Sequence, residues 1–347
     1  MKTWKQRTAW LSLVLNVLLF AFVSSSYATP TRTVQATTHA NSITPTPTVQ
    51  ATTRGNYVTR VFTDAHGMRM TYYLFIPVNY DPQIKYPLVL LLHGGSERAT
   101  VNNPSDQNRD TLLNQDYVKV WGPGLPGSTS PDVQAQSPSF IVVPQADYPQ
   151  RWVDVLASHG SYTLAAQPTD SLCMAKGIVD ALQKQYPNID PHRLYITGLS
   201  MGGYGTWDAI ERWPGYFAAA APLAGAGDLS KASRLVNLPI WAFHGSGDGD
   251  VPVSGSRDMI EAIKAAGGHP RYTEYASAGH EIWSMVYSTP AFMSWLFSQH
   301  NSYPWPGGVH PAIWSLLRTL ETWYSRLVRR SAKARGLSSQ ESEQRCR

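Results

Sequence analysis

The sequence predicts an α/β protein built on one mostly parallel sheet with helices on both faces. Short apolar runs rich in β-branched residues alternate with longer stretches of helical periodicity, as expected when strands are buried on both sides. The chain has 347 residues, 43% of them hydrophobic, enough for a core of roughly 200–250 residues with segments left over at the ends. Only 15% are charged, too few for a coiled coil or a long exposed helix.

Residues 1–28 read as an export signal. Lys2, Lys5 and Arg7 form a basic start, an apolar run follows from Ala9 to Val23, and Ser26-Tyr27-Ala28 supplies the small residues of a cleavage site. An uncleaved anchor is the alternative, although the run is shorter than the roughly 20 residues a membrane-spanning helix needs. No cysteine follows the run, so a lipoprotein anchor is not expected. Residues 29–56 form a Thr/Pro-rich spacer. Thr33-Val34-Gln35-Ala36-Thr37-Thr38 recurs there as Thr48-Val49-Gln50-Ala51-Thr52-Thr53, and such a polar repeat cannot bury a core. It is either a stalk or an unselected tail.

Residues 57–303 are expected to form the main folded body. Runs 58–62 and 70–76 flank a turn at His66-Gly67 and read as a hairpin. Runs 88–92, 140–143, 194–197, 217–222, 240–243 and 272–275 read as buried strands, with helices over 169–186, 201–213, 254–266 and 290–299. Residues 304–347 read as a basic amphipathic helix and tail. Its apolar stripe packs on the body in one reading, and contacts an anionic membrane surface in the other.

Charge narrows the function classes. The formal net charge is +5, but the basic excess lies at the two ends; residues 29–310 carry 18 Lys and Arg against 21 Asp and Glu. That argues against a nucleic-acid partner for the body. Cys173 and Cys346 are the only cysteines, which excludes a cysteine-built metal cluster; they allow one disulfide without demanding it.

In a parallel sheet, ligands gather beyond the C-terminal strand ends. There the sequence places Gly198-Leu199-Ser200-Met201-Gly202 between a strand and a helix, the context of a nucleophile elbow. A serine hydroxyl needs a base within hydrogen-bond reach. His280 follows the last strand, and Asp248 or Asp250 follows the one before, giving the order Ser200, Asp248, His280 of an α/β-hydrolase. His93 and His244 also end strands, but the glycine after each fits loop packing better than base chemistry. The oxyanion donors are expected at the Met201 N–H and in His93-Gly94-Gly95-Ser96, with Gly95 preferred and Ser96 next. Trp152, Trp207 and Trp283 are candidates for a substrate wall, and Gln145 for shaping the site.

Four segments carry a family resemblance: the run 86–95 ending in His93-Gly94-Gly95, the elbow 197–207, the stretch His244 to Pro252, and Gly279-His280. Residues 57–299 resemble the secreted α/β-hydrolase esterases, in particular the phospholipase/carboxylesterase, polyhydroxybutyrate-depolymerase-like and feruloyl-esterase-like group, often labelled predicted peptidases. The resemblance implies an eight-stranded sheet with the second strand antiparallel, and it places the acid four residues after His244, at Asp248 rather than Asp250. The short 223–239 connection leaves no room for a large lid, so a bulky or polymer-attached ester is the expected substrate. No metal or organic cofactor is implied. A serine peptidase of the same fold and a catalytically silent surface-binding protein are the alternatives.

Overall fold

The computed structural model describes residues 57–99, 111–122 and 132–302. The expected export signal, the spacer and the basic C-terminal segment lie outside the described residues. So does Cys346; Cys173 is disulfide-bonded.

Eight strands form one sheet in the order β1-β2-β4-β3-β5-β6-β7-β8. These are β1 (Val58–Thr63), β2 (Arg69–Phe75), β3 (Tyr86–Leu92), β4 (Phe140–Pro144), β5 (Ile189–Leu199), β6 (Ala219–Leu223), β7 (Trp241–Gly245) and β8 (Arg271–Tyr275). β2 runs antiparallel to both β1 and β4, and every other pairing is parallel. The expected mostly parallel eight-stranded sheet with an antiparallel second strand is borne out.

Alternation along the central strands splits the core into two layers. In β3, Leu88, Leu90 and Leu92 face one side and Val89 and Leu91 the other, all buried. The first side is covered by α3 (Asp170–Gln185), α4 (Met201–Arg212) and α5 (Ser254–Ala265), through residues such as Ile178, Leu182, Ile210 and Ile260. The second side meets α1 (Asp116–Lys119), α6 (Trp283–Tyr287) and α7 (Pro290–Phe297), through Tyr117, Tyr287, Phe292 and Leu296. A further short helix, α2 (Val133–Gln136), precedes β4. Each fully buried Leu, Ile or Phe contributes about 1.5–3 kcal/mol, so a double-sided sheet is the dominant stabilising unit.

Local signals set the helix that matters less for chemistry as clearly as those that do. The Thr169 hydroxyl accepts the Leu172 N–H and caps α3. β5 begins earlier than the apolar run suggested, because Tyr86 already pairs with Ile189 before a bulge. β6 begins later, at Ala219. Between β6 and β7 there is one short 3-10 turn, Leu229–Leu235, and no helical cap.

Candidate active site

Ser200 occupies the turn between β5 and α4 at φ 54° and ψ −118°, a conformation that favours glycine. Two constraints hold it there. The Ser200 N–H donates to Leu223 O at 3.0 Å, tying the elbow to β6. The helix start is pressed onto β3: a Cβ on Gly202 would stand 2.1 Å from Leu92 O, so no larger residue fits. Together these hold the serine side chain beyond the strand end.

The structure brings Ser200, His280 and Asp248 together. The Ser200 hydroxyl donates to His280 Nε2 at 2.9 Å, and His280 Nδ1–H donates to Asp248 Oδ2 at 2.7 Å. The carboxylate can only accept, so it fixes the tautomer that leaves Nε2 free to take the serine proton. The Asp248 side chain is fully buried. Burial pushes its carboxyl up, but hydrogen bonds from His244, His280 and the N–H groups of Val251 and Asp250 outweigh that, holding it well below the usual carboxylate range. Asp250 therefore serves through its backbone, while its side chain is exposed. Polar atoms of Asp248, Asp250 and His280 do fall within 4.8 Å of one another, as metal ligands would, but hydrogen bonds already engage Asp248 and His280.

His244 is buried and lies against the same carboxylate. Its Nε2 is 3.2 Å from Asp248 Oδ2 and 3.2 Å from Val251 O, and its Nδ1 is 2.7 Å from Ser256 Oγ. It supports the acid and does not reach Ser200.

The loop after β3 lies against the nucleophile and is held carbonyl by carbonyl. Trp152 Nε1–H donates to His93 O at 3.0 Å. His93 Nε2 accepts the Ala146 N–H at 3.0 Å, so Nδ1 carries the proton and donates to Gly94 O at 2.7 Å. Burial holds the His93 imidazole down at about 4, so the ring is neutral at pH 7. Arg98 Nε–H donates to Gly95 O at 2.8 Å, and Gln145 Nε2–H to Glu97 O at 2.9 Å. Because the peptide unit is planar and trans, fixing Gly94 O also fixes the direction of the Gly95 N–H. Met201 is the first residue of α4, so its N–H has no intrahelical acceptor.

Two of the three wall candidates, Trp152 and Trp207, are corrected. Trp152 and Trp207 are 0% exposed and Gln145 is 1% exposed. Trp152 and Gln145 are spent on the loop carbonyls, the Gln145 amide oxygen accepting from the Tyr73 hydroxyl at 2.7 Å. Trp207 lies on the core face of α4. Of the three wall candidates Trp283 alone stands at the site, half-buried, its ring edge-on to His280 at 5.4 Å, while Gln145 acts from behind, through the loop after β3. Sequence reading missed Glu97 and Arg98. The available signal was a charged pair directly after an apolar strand and a glycine turn, in a chain poor in charge.

Comparison with known proteins bears on the fold that carries this geometry. A family model described as the prolyl oligopeptidase family matches residues 175–233, which span the elbow. A solved thermostable esterase superposes with a TM-score of 0.58 at 35% identity, covering 71% of this chain and 63% of that one. The fold is that of an α/β-hydrolase. An acylaminoacyl peptidase shares it at 15% identity and a TM-score of 0.50, over 72% of this chain and 43% of its own. The chain is also 31% identical over 178 residues to the bifunctional acetylxylan esterase/xylanase XynS20E of Neocallimastix patriciarum, covering 51% of this chain and 21% of that protein. It is 33% identical over 100 residues to a putative carboxymethylenebutenolidase of Escherichia coli, covering 26% of this chain and 37% of the other. The chain thus spans well under half the length of these two curated relatives.

Proposed function

We propose that this chain is an exported serine hydrolase that cleaves carboxylic esters through an acyl-enzyme. The hydrogen-bonded row from Ser200 through His280 to Asp248 carries the reading. In the proposed reaction Ser200 Oγ attacks the ester carbonyl as its proton passes to His280 Nε2. Asp248 stabilises the imidazolium, and the N–H groups of Gly95 and Met201 hold the oxyanion. His280 then protonates the departing alcohol. Water, deprotonated by the same nitrogen, attacks the acyl carbonyl and releases the acid and free Ser200. The short β6–β7 connection supports a bulky or polymer-attached ester, in keeping with the name of the acetylxylan esterase relative. Export rests on the residues of segment 1–28.

A fluorophosphonate probe and a panel of acetyl, feruloyl, hydroxyalkanoate and aryl esters test the reading. The probe should label Ser200, and Ser200→Ala should lower turnover by about 10⁴–10⁶-fold. Full hydrolysis by a pure Ser200→Ala sample would sink it. A serine peptidase is the second reading, favoured by the match to the prolyl oligopeptidase family model. Efficient cleavage of matched anilides with no ester turnover would put it first.

A further inference from the structure

Glu97 takes no part in the proton relay, yet it lies within the loop that supplies Gly95. It is 8% exposed. Its Oε1 accepts from the Ser96 hydroxyl at 3.0 Å, folding the side chain back onto its own loop. Its Oε2 is buried and has no hydrogen-bond partner among the described residues. That oxygen sits close to the nucleophile: a Cβ on Gly94 would lie 3.0 Å from Glu97 Oε2 and 3.8 Å from Ser200 Cβ.

On the esterase reading above, on which this rests, we infer that Glu97 is a positioning residue of the oxyanion loop. As an uncharged acid it closes the loop around Gly95; as a carboxylate it opposes the negative oxygen that forms there. A buried oxygen without a donor is tolerated far better as part of a neutral carboxyl than as part of a carboxylate. The surroundings agree. Burial raises the Glu97 carboxyl above its ordinary range, against the pull of the Ser96 hydroxyl and of the Glu97 and Gly94 N–H groups, and Glu281 adds to the rise. The Tyr117 hydroxyl, buried and without a partner among the described residues, interacts electrostatically with Glu97 and brings no positive charge. The neighbouring Arg98 guanidinium donates to Gly95 O and Pro149 O and lies over the Tyr148 ring at 4.9 Å.

Ionisation of Glu97 places a buried negative charge near a developing negative charge, where like charges repel strongly. The sign follows. Turnover is supported at pH values where Glu97 is protonated and falls as pH rises through its ionisation. Substrate binding before the oxyanion forms is affected little, so the effect belongs in kcat and not in KM.

The test compares wild type, Glu97→Gln and Glu97→Ala with a p-nitrophenyl ester across the pH range in which a site-assigned titration shows Glu97 to ionise. Wild-type kcat should fall by about tenfold or more along an alkaline limb. Glu97→Gln keeps an acceptor for Ser96 and cannot ionise, so its kcat should not show that fall. At pH values where wild-type Glu97 is protonated, Glu97→Ala should lose about tenfold in kcat with KM changed less than about twofold, and Gln should restore most of that loss. A site-assigned ¹³C carboxyl titration of Glu97 in the wild type should show a raised transition, and this needs no variant to fold. An alkaline limb unchanged in Glu97→Gln, no such limb in wild type, or an ordinary carboxylate titration of Glu97 would overturn the inference. Each of those leaves the esterase reading standing while Ser200→Ala is inactive; turnover in Ser200→Ala removes that reading instead.

Discussion

Replacing Trp152 by Phe takes one hydrogen bond and part of one ring from behind the oxyanion loop. The indole N–H is the donor to His93 O at 3.0 Å, and the ring meets the His93 imidazole edge-on at 5.1 Å. Phenylalanine cannot donate, so a buried carbonyl loses this donor, which costs about 1–3 kcal/mol. The smaller ring also leaves a gap in a fully buried position, adding about 1–2 kcal/mol if the neighbours do not collapse into it. The sum, about 2–5 kcal/mol, corresponds to a fall of about 4–20 °C in Tm for a domain of this size. Turnover should fall as well, because His93 aims Gly94 O and through it the Gly95 N–H. Calorimetry with steady-state kinetics on an aryl ester separates this from a substrate-wall role. The loop role predicts lower Tm and lower kcat with KM nearly constant. An unchanged Tm with a raised KM would refute it and return Trp152 to the substrate.

Two further outcomes follow from the same kind of reasoning. Glu211 is 0% exposed, its Oε1 accepts the Asp228 N–H at 2.9 Å, and its Oε2 has no partner among the described residues. Burial, with Asp208 and Asp228 nearby, raises its carboxyl well above the ordinary range. Its contribution to stability is therefore full below the unfolded value of about 4.3 and is lost progressively as pH rises toward the folded value. Glu211→Gln should remove that loss, so denaturant titrations should show the variant gaining on wild type between about pH 5 and about pH 8; parallel pH dependences would contradict this. Ser200→Gly should relieve the strain of φ 54°, abolish probe labelling, and leave Tm equal to wild type or higher by a few degrees, since such strain is worth about 1–3 kcal/mol. A clear drop in Tm would mean that the elbow is not strained.

Four of the strands were legible as apolar runs with no polar interruption, 88–92, 140–143, 217–222 and 240–243, as burial on both faces requires; β8, expected to be buried, lies at the sheet edge, carries Thr273 and Glu274 and has no buried residue. The first stretch of β5 was not legible, since Asp190-Pro191-His192-Arg193 carries the composition of a loop. Tertiary pairing of Tyr86 with Ile189 overrides it. In the site, Ser200, Asp248 and His280 could be picked out because each follows a separate strand, β5, β7 and β8, of the parallel part of one sheet, which places them at one edge. The same rule misled at Trp152. A polar or aromatic group past a strand end can turn toward the cleft or toward the back of a neighbouring loop, and composition does not distinguish the two. What decides is the partner, and here the partners are backbone carbonyls.

That choice of partner has a mechanical consequence. A trans peptide carries its C=O and the next N–H on opposite sides of one plane, so an N–H can be aimed by holding the carbonyl behind it. An oxyanion donor has to leave its own N–H unspent for the substrate. It therefore cannot be anchored through that group, and an anchored carbonyl is the direct alternative. On the proposed reaction His93 does this at Gly94 O for the Gly95 N–H, and it can do so only with a proton on Nδ1. The Ala146 N–H occupies Nε2 and the buried ring stays neutral, so that tautomer is the one present. The histidine that ends β3 thus resembles a spare catalytic base in sequence, while its neighbours use up both ring nitrogens to point a backbone amide.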